Sequence, residues 1–280
     1  LQNQYKDYAY WQRDFLTKKQ LDKQKKYWKE YLLSYEPLNL PADFKRPKEF
    51  SYNGADVKTV FKIEWQNSLE NLAKKYGVSL YTVMLTLLDI VLSQYSYQKE
   101  VVVGTPFANR HIEGTEDLIG FFINTLPIRT KITNDLSLGE LFTQNNETVV
   151  EIQNNQDIPF EQIVKMLNVT QDTSRNPIFQ VLFSVQNFAP VNLIKNDLFS
   201  NCNEGLRIGT AKYDLSVLVE NGFINFNYCT DIYHEDTIQS MLDSYIALIK
   251  QVIENDSIKV ASITLPEKTS LGVKKEYPEK

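Results

Sequence analysis

Cysteine and histidine are both scarce in this 280-residue chain, with two of each. Cys202 and Cys229 have neither the tight pairing of a redox motif nor the repeated spacing of a zinc site. They read as reduced thiols of a cytosolic protein, with a single structural disulfide as the alternative. His111, in "NRHIEG", and His234, in "IYHEDT", have no metal-ligating partner at useful spacing and read as loop or surface histidines. Also missing are a Gly-x-x-x-x-Gly-Lys phosphate loop, a Gly-x-Gly-x-x-Gly turn, a Gly-x-Ser-x-Gly elbow and a His-Glu-x-x-His helix. No apolar run approaches the roughly 20 residues needed to span a bilayer. The opening "LQNQYKDYAYW" is too polar for a signal peptide. A net charge of −5 gives no general basic face for nucleic acid, whose phosphates demand one.

What is present is a large apolar inventory. Hydrophobic residues make up 42% of the chain and aromatics 12%, enough for a sizeable core. Periodicity predicts a helix over 12–34, with Leu21, Tyr27, Trp28, Tyr31 and Leu32 inward and the Lys18–Lys29 face solvated. A Pro-bearing connector follows, ending in a strand at "ADVKTVFKIE". A helix at about 66–75 stops at Gly77, and Ser79 caps the next, Leu80–Tyr95, whose apolar residues recur at i, i+3 and i+4. "EVVVGTP" and "LIGFFINTLPIRT" read as strands, and 137–154 as a helix. In "DIPFEQIVKML", Asp157 is placed to accept from the free N–H groups of a short helix and Glu161 to favour its positive end. Strands at 178–187, 212–220 and 222–229 and a long amphipathic helix over 235–254 complete a mixed α/β pattern.

"LIGFFINTLPIRT" poses the sharpest question. It is apolar on both parities, as a sandwiched strand would be, yet carries Asn124 at its centre. A buried amide without partners costs about 1–3 kcal/mol. Asn124 is therefore bonded to nearby backbone, or it faces something polar that comes and goes. Asp214, in an otherwise apolar strand, calls for a cation, with Lys212 or Arg175 as its expected partner. Arg175 offers a rigid fork of donors for carbonyls or for a carboxylate such as Asp172.

Taken in order, several stretches resemble one family. "YKDYAYW" (5–11), "IGFFINTLPIR" (119–129), "NQDIPFE" (155–161) and "QDTSRNPIFQ" (171–180) are similar to four successive motifs of nonribosomal peptide synthetase condensation domains. Gln171 replaces the Arg that usually opens the last of them. "VVVGTPFANR" and "TAKYDLSV" fit as well. The resemblance implies an α/β, chloramphenicol-acetyltransferase-like lobe: a mixed β-sheet flanked by helices. It implies amide formation between two thioesters. Each would be carried on the 4′-phosphopantetheine arm of a donor or acceptor carrier protein into a tunnel between two lobes, with no cofactor resident in the chain itself.

Under that resemblance residues 1–35 form a crossing segment and helix after an N-terminal lobe, 36–55 a connector, 56–265 the C-terminal lobe and 266–280 a linker toward a downstream adenylation domain. Gly120, Asn124, Thr125, Gln156, Ser174 and Arg175 are expected along the substrate tunnel, with Arg175 a candidate for the pantetheine phosphate. Tyr5, Asp7, Trp11, Asp157 and Asp214 are expected to join lobes or hold structure; Asp7, if it is not exposed, needs a buried partner, which the other lobe could supply. The family's His-His-x-x-x-Asp-Gly motif, whose second His serves the amine, does not occur in the 280 residues. No catalytic residue is therefore assigned, and the chain alone is expected to be inactive. A non-catalytic carrier-binding lobe is the rival reading, and a coenzyme A-dependent member of the fold a more distant one.

Overall fold

A computed structural model describes residues 4–17, 19, 21–133, 135–170, 172–186, 209–220 and 222–266. Its centre is a six-stranded mixed sheet of β1 (Gly54–Val60), β2 (Glu100–Phe107), β3 (Asn124–Lys131), β4 (Val181–Gln186), β5 (Leu215–Glu220) and β6 (Phe223–Cys229). The spatial order is β1-β6-β5-β4-β2-β3; β4 runs parallel to both β2 and β5, and the other pairs are antiparallel. Helices α3 (Ile63–Tyr76), α4 (Leu80–Ser96), α5 (Leu138–Asn154) and α7 (Glu235–Glu254) accompany the sheet. Tyr81 of α4 meets Phe183, and Tyr245 of α7 meets Phe226, so alternate residues of each strand enter one core. On the opposite face the Phe179 ring lies against Gly104, so closely that any Cβ there would collide with it. That contact explains a glycine inside a central strand.

The helix ends follow their sequence signals. Ser79 Oγ accepts from Thr82 N at the start of α4. Ser137 and Glu140 form a reciprocal capping box on α5. Gly77 closes α3 in the left-handed conformation, φ +65°.

Several boundaries differ from the sequence reading, among them the start of β5, at Leu215 and not 212, and of α3, at Ile63 and not about 66. The helix expected over 12–34 is two, α1 (Tyr5–Phe15) and α2 (Leu21–Tyr31). Strand β1 stops at Val60, because Ile63 and Glu64 already belong to α3. The strand expected over 118–130 begins only at Asn124, opposite Phe107, where β2 ends and the ladder with it. Its first half is split instead: Leu118 and Phe122 join Tyr8 in a satellite cluster, while Ile119, Phe121 and Ile123 stay exposed. Strand β4 starts three residues late because Ile178 is held at φ +69° in a γ-turn, with Phe179 N donating to Pro177 O at 2.8 Å.

Cys229 is a buried thiol. Cys202, Gln171, Lys18 and most of the expected linker (267–280) lie outside the described residues. Among the described residues no single helix is long and apolar enough to cross a membrane.

One core residue is anomalous. Asp89 sits on α4 with both carboxylate oxygens shut away from water and without a hydrogen bond of normal geometry. Burial pushes its carboxyl well above the usual range, and the neighbouring Thr130 hydroxyl opposes that only in part. In the window between the ordinary carboxylate value and the raised one, the folded chain holds a proton that the unfolded chain has released. Stability is therefore greatest below that window and falls as pH rises through it, by at most about 1.4 kcal/mol per pH unit. Asp89→Asn is expected to remove this loss, raising the melting temperature at pH 8 more than at pH 5; thermal melts at the two pH values check it.

Candidate functional site

The site grows from the N-terminal end of β3. Asn124 is buried, and every polar atom of its carboxamide is engaged. Its Nδ2 donates to Gln156 O at 2.9 Å and Ile158 O at 2.8 Å, while its Oδ1 accepts from Phe160 N at 3.1 Å. Two carbonyls on one side and one N–H on the other fix which way the amide points. The loop it grips needs such a partner: Pro159 is the N-cap of α6 (Phe160–Met166) and offers no side-chain cap. Asp157, expected to cap that helix, does not. It accepts from Gln24 Nε2 at 2.7 Å and lies 3.0 Å from His111 Nε2, so it ties α2 to the loop after β2. The first N–H of the helix is left for Asn124.

Asn124 and Thr125 line a cavity of about 270 Å³ with Tyr5, Phe121, Phe122, Phe160 and Tyr213 among its walls. Alternation along β3 sends the two side chains to opposite faces: Asn124 shares a parity with the buried Leu126 and Ile128, and Thr125 is half-buried on the other. A second cavity, about 610 Å³, contains Arg175 and Asp172 in walls shared with Tyr35, Val164, Ile178 and Gln180. Phe179 packs against Phe160 and Tyr213, which line the first cavity, while its neighbour Ile178 lines the second. The residues expected along one tunnel thus fall in two places.

The other expected residues are placed as follows. Gly120 is exposed beside Tyr5, where an added Cβ would collide with the ring. Tyr5 OH donates to Phe121 O at 2.9 Å, holding α1 to this loop. Gln156 contributes its carbonyl to Asn124, and its side chain donates to Gln153 O at 2.8 Å. Ser174 is buried, with its N and Oγ both on Asp172 Oδ1 at 2.9 and 2.6 Å. These bonds hold the Asp172 carboxyl below its usual range, with smaller help from Arg175, whose Nε lies 3.0 Å from Asp172 Oδ2. Asp7 is exposed, so it needs no buried partner; it accepts from Gln4 N at 2.8 Å across the first turn of α1. Trp11 stacks on Phe15 with centroids 4.8 Å apart.

Asp214 pairs with neither Lys212 nor Arg175. Its cation is Arg46, which forks onto both carboxylate oxygens and also donates to Ser174 O at 3.0 Å. The connector therefore reaches the sheet through a charged pair that sequence spacing gave no means to foresee. Other contributors went unseen for the same reason. Tyr31 OH accepts from Arg129 N at 2.6 Å on the outer edge of β3. Arg110 donates to Thr115 O and Leu118 O at 2.5 and 2.8 Å while its guanidinium lies over Phe122. On α2, Lys25 and Lys26 pair with Asp22 and Glu30 of their own helix. His234 is exposed against Phe44.

Because the Asn124 amide satisfies three backbone groups, Asn124→Ala is expected to lower stability by about 2–4 kcal/mol. Asn124→Asp should lower it further, since a carboxylate would face two carbonyl oxygens. Denaturant unfolding of the three proteins measures both.

The comparisons with known proteins converge. The family model described as the condensation domain matches residues 1–271. A linear gramicidin synthase protein of Brevibacillus parabrevis is 36% identical over 276 residues, 94% of this chain but 5% of that protein. Gramicidin S synthase 2 of Brevibacillus brevis is 31% identical over 271 residues, 95% of this chain and 6% of its own length. The chain thus spans a small part of these relatives. Among solved structures, a four-domain nonribosomal peptide synthetase aligns with a TM-score of 0.80 at 21% identity, over 88% of this chain and 20% of that one. The X-domain from teicoplanin biosynthesis aligns with the same score and identity, over 94% of this chain and 62% of that one. The architecture is the chloramphenicol-acetyltransferase-like α/β lobe, a mixed sheet flanked by helices, and the chain belongs to the condensation-domain family of nonribosomal peptide synthetases.

Proposed function

We propose that this chain supplies one wall of an acyl-transfer tunnel in which the amine of one carrier-bound aminoacyl thioester attacks the thioester carbonyl of another, forming an amide. The observation that carries the reading is the exposed apolar rim beside the Asn124 cavity: Ile119, Phe121 and Ile123 are 95%, 79% and 55% exposed, on the loop that leads into β3. Contiguous side chains of this kind mark a surface that another body covers. A second lobe carrying the His-His-x-x-x-Asp-Gly motif is the body that the family resemblance supplies.

In this reading Thr125 and the aromatic walls border the passage of the pantetheine arm, and Asn124 sets the loop that shapes it. Gly120 allows Tyr5 to close against the rim, and Gln156 lends its carbonyl to the Asn124 clamp. Arg175 lines the second cavity, with Ser174 buried behind it on Asp172, and its guanidinium meets the phosphate of an arriving arm. The arm comes and goes on carrier proteins, an adenylation domain follows in the assembly, and the chain works in the cytoplasm. Neither histidine serves the chemistry: His111 faces Asp157, and His234 lies at the start of α7. Proton handling at the amine falls to the second lobe.

With donor and acceptor carrier proteins loaded, the purified chain is expected to form no amide above a blank. Addition of a separately produced lobe bearing the His-His-x-x-x-Asp-Gly motif is expected to start turnover. Product from the chain alone overturns the shared-tunnel reading. Carrier binding with no turnover after the lobe is added favours the non-catalytic carrier-binding alternative.

A further inference from the structure

The second cavity, about 610 Å³, has the volume of a small-molecule site, and most of its polar lining is already spent. Thr173 Oγ1 donates to Lys48 O at 2.9 Å, Asn176 Nδ2 to Lys212 O at 2.8 Å and Gln180 Nε2 to Asn176 O at 3.0 Å. Gln180 Oε1 is sealed from water, so no occupant reaches it. Asp172 gives one oxygen to Ser174 and turns the other to Arg175 Nε. The loop that carries these groups is also fixed from the connector: Phe50 N donates to Thr173 O at 2.9 Å and Arg46 to Ser174 O at 3.0 Å. What stays open is one cation and two hydroxyls. The Arg175 side chain is 35% exposed, and its two Nη groups donate to no atom of the described residues. Tyr35, half-buried, and Thr170, exposed, supply the hydroxyls. No second cation lines the cavity among the described residues. The rest of the wall is aliphatic: Pro37, Val164, Val169, Pro177 and Ile178.

With Nε turned to Asp172, the free edge of the guanidinium is its Nη pair, which fits a carboxylate through two parallel hydrogen bonds. Asp172 offsets part of the Arg175 charge, so a singly charged head suits the place better than a doubly charged one. The body of the ligand follows from the wall. A peptide would bring amide groups into a lining whose polar groups are committed, and each amide left unpaired is costly. A linear aliphatic chain brings none. We infer that this cavity binds a medium-chain aliphatic carboxylate, its head on the Arg175 Nη groups and its chain along Val164, Val169 and Ile178. The same guanidinium is the one assigned above to the phosphate of the arm, so the bound carboxylate and the arm exclude each other. The exclusion rests on that assignment; the binding does not.

The test titrates decanoate, octanoate, decanol and N-acetyl-valyl-leucine separately into the ¹⁵N-labelled chain, below their aggregation concentrations, and reads the amide shifts of Val164, Val169 and Ile178. Decanoate is expected to bind about tenfold tighter than decanol, the worth of a hydrogen bond to a charged group. It is expected to bind about tenfold tighter than octanoate, the worth of the extra buried methylenes. Arg175→Gln is expected to bring decanoate to within about twofold of decanol. Val164→Phe, which fills the space of the chain, is expected to weaken decanoate while the spectrum outside the cavity stays unchanged. Equal binding of decanoate and decanol overturns the carboxylate head, and equal binding of decanoate and octanoate overturns the aliphatic chain. Tighter binding of the dipeptide acid overturns the linear body. Shifts confined to other residues overturn the site. Displacement of decanoate by the methyl phosphodiester of pantetheine, a singly charged stand-in for the carrier-bound arm, supports the exclusion. Failure to displace it overturns the exclusion and the role of Arg175 toward the arm, and leaves the carboxylate site standing.

Discussion

A single carboxamide joins the edge of the sheet to the loop that walls the cavity. Asn124 is the first residue of β3, and its three hydrogen bonds reach Gln156, Ile158 and Phe160 on the other side of the gap. The loop between α5 and α6 cannot satisfy itself: Pro159 has no N–H, and the side chain of Asp157 is committed to Gln24 and His111. The position of Phe160 therefore depends on the amide. The second wall depends on Phe160, because that ring packs on Phe179, whose own place over Gly104 exists only because that strand position has no Cβ. A chain of contacts thus runs from one polar side chain to the partition between two cavities.

β3 itself is an edge strand, and the protein protects it in several ways. Pro127 removes one free donor from the outer side. Tyr31 occupies the backbone N–H of Arg129, and the Arg129 side chain reaches back to Tyr31 O and Leu33 O at 2.8 and 3.1 Å and to Glu100. Helix α2 is thereby fastened along the edge rather than merely packed near it. Trp28 adds a bond to Asn155 O at 2.9 Å, which brings the same helix to the loop that Asn124 holds. The β3 edge and the cavity loop are braced by one helix, so a disturbance of either is felt by the other.

Much of the fold could be read in the sequence where a single period dominates. Helix α7 begins and ends where its apolar stripe does, and α4 and α5 begin at the serines that cap them. Legibility failed wherever a long-range polar contact set the geometry. Arg46 and Asp214 are far apart in the chain, and nothing in the local pattern links them. The strand expected from Leu118 stops at Asn124 because its partner β2 runs out, a fact about pairing and not about propensity. Ile178 adopts a backbone that a β-branched residue disfavours, and only the γ-turn packed into the core holds it there. Asn124 was visible as an anomaly, but its role needed the position of three backbone groups from a distant loop.

The same division accounts for what the site residues do. The motif stretches are read easily because each concentrates unusual residues, yet most of their polar side chains are spent on backbone or on one another: Gln156 on Gln153, Ser174 on Asp172, Asn176 on Lys212. A short motif that is largely self-satisfying builds a shape rather than a reagent. In this lobe the recognisable residues hold the walls in place.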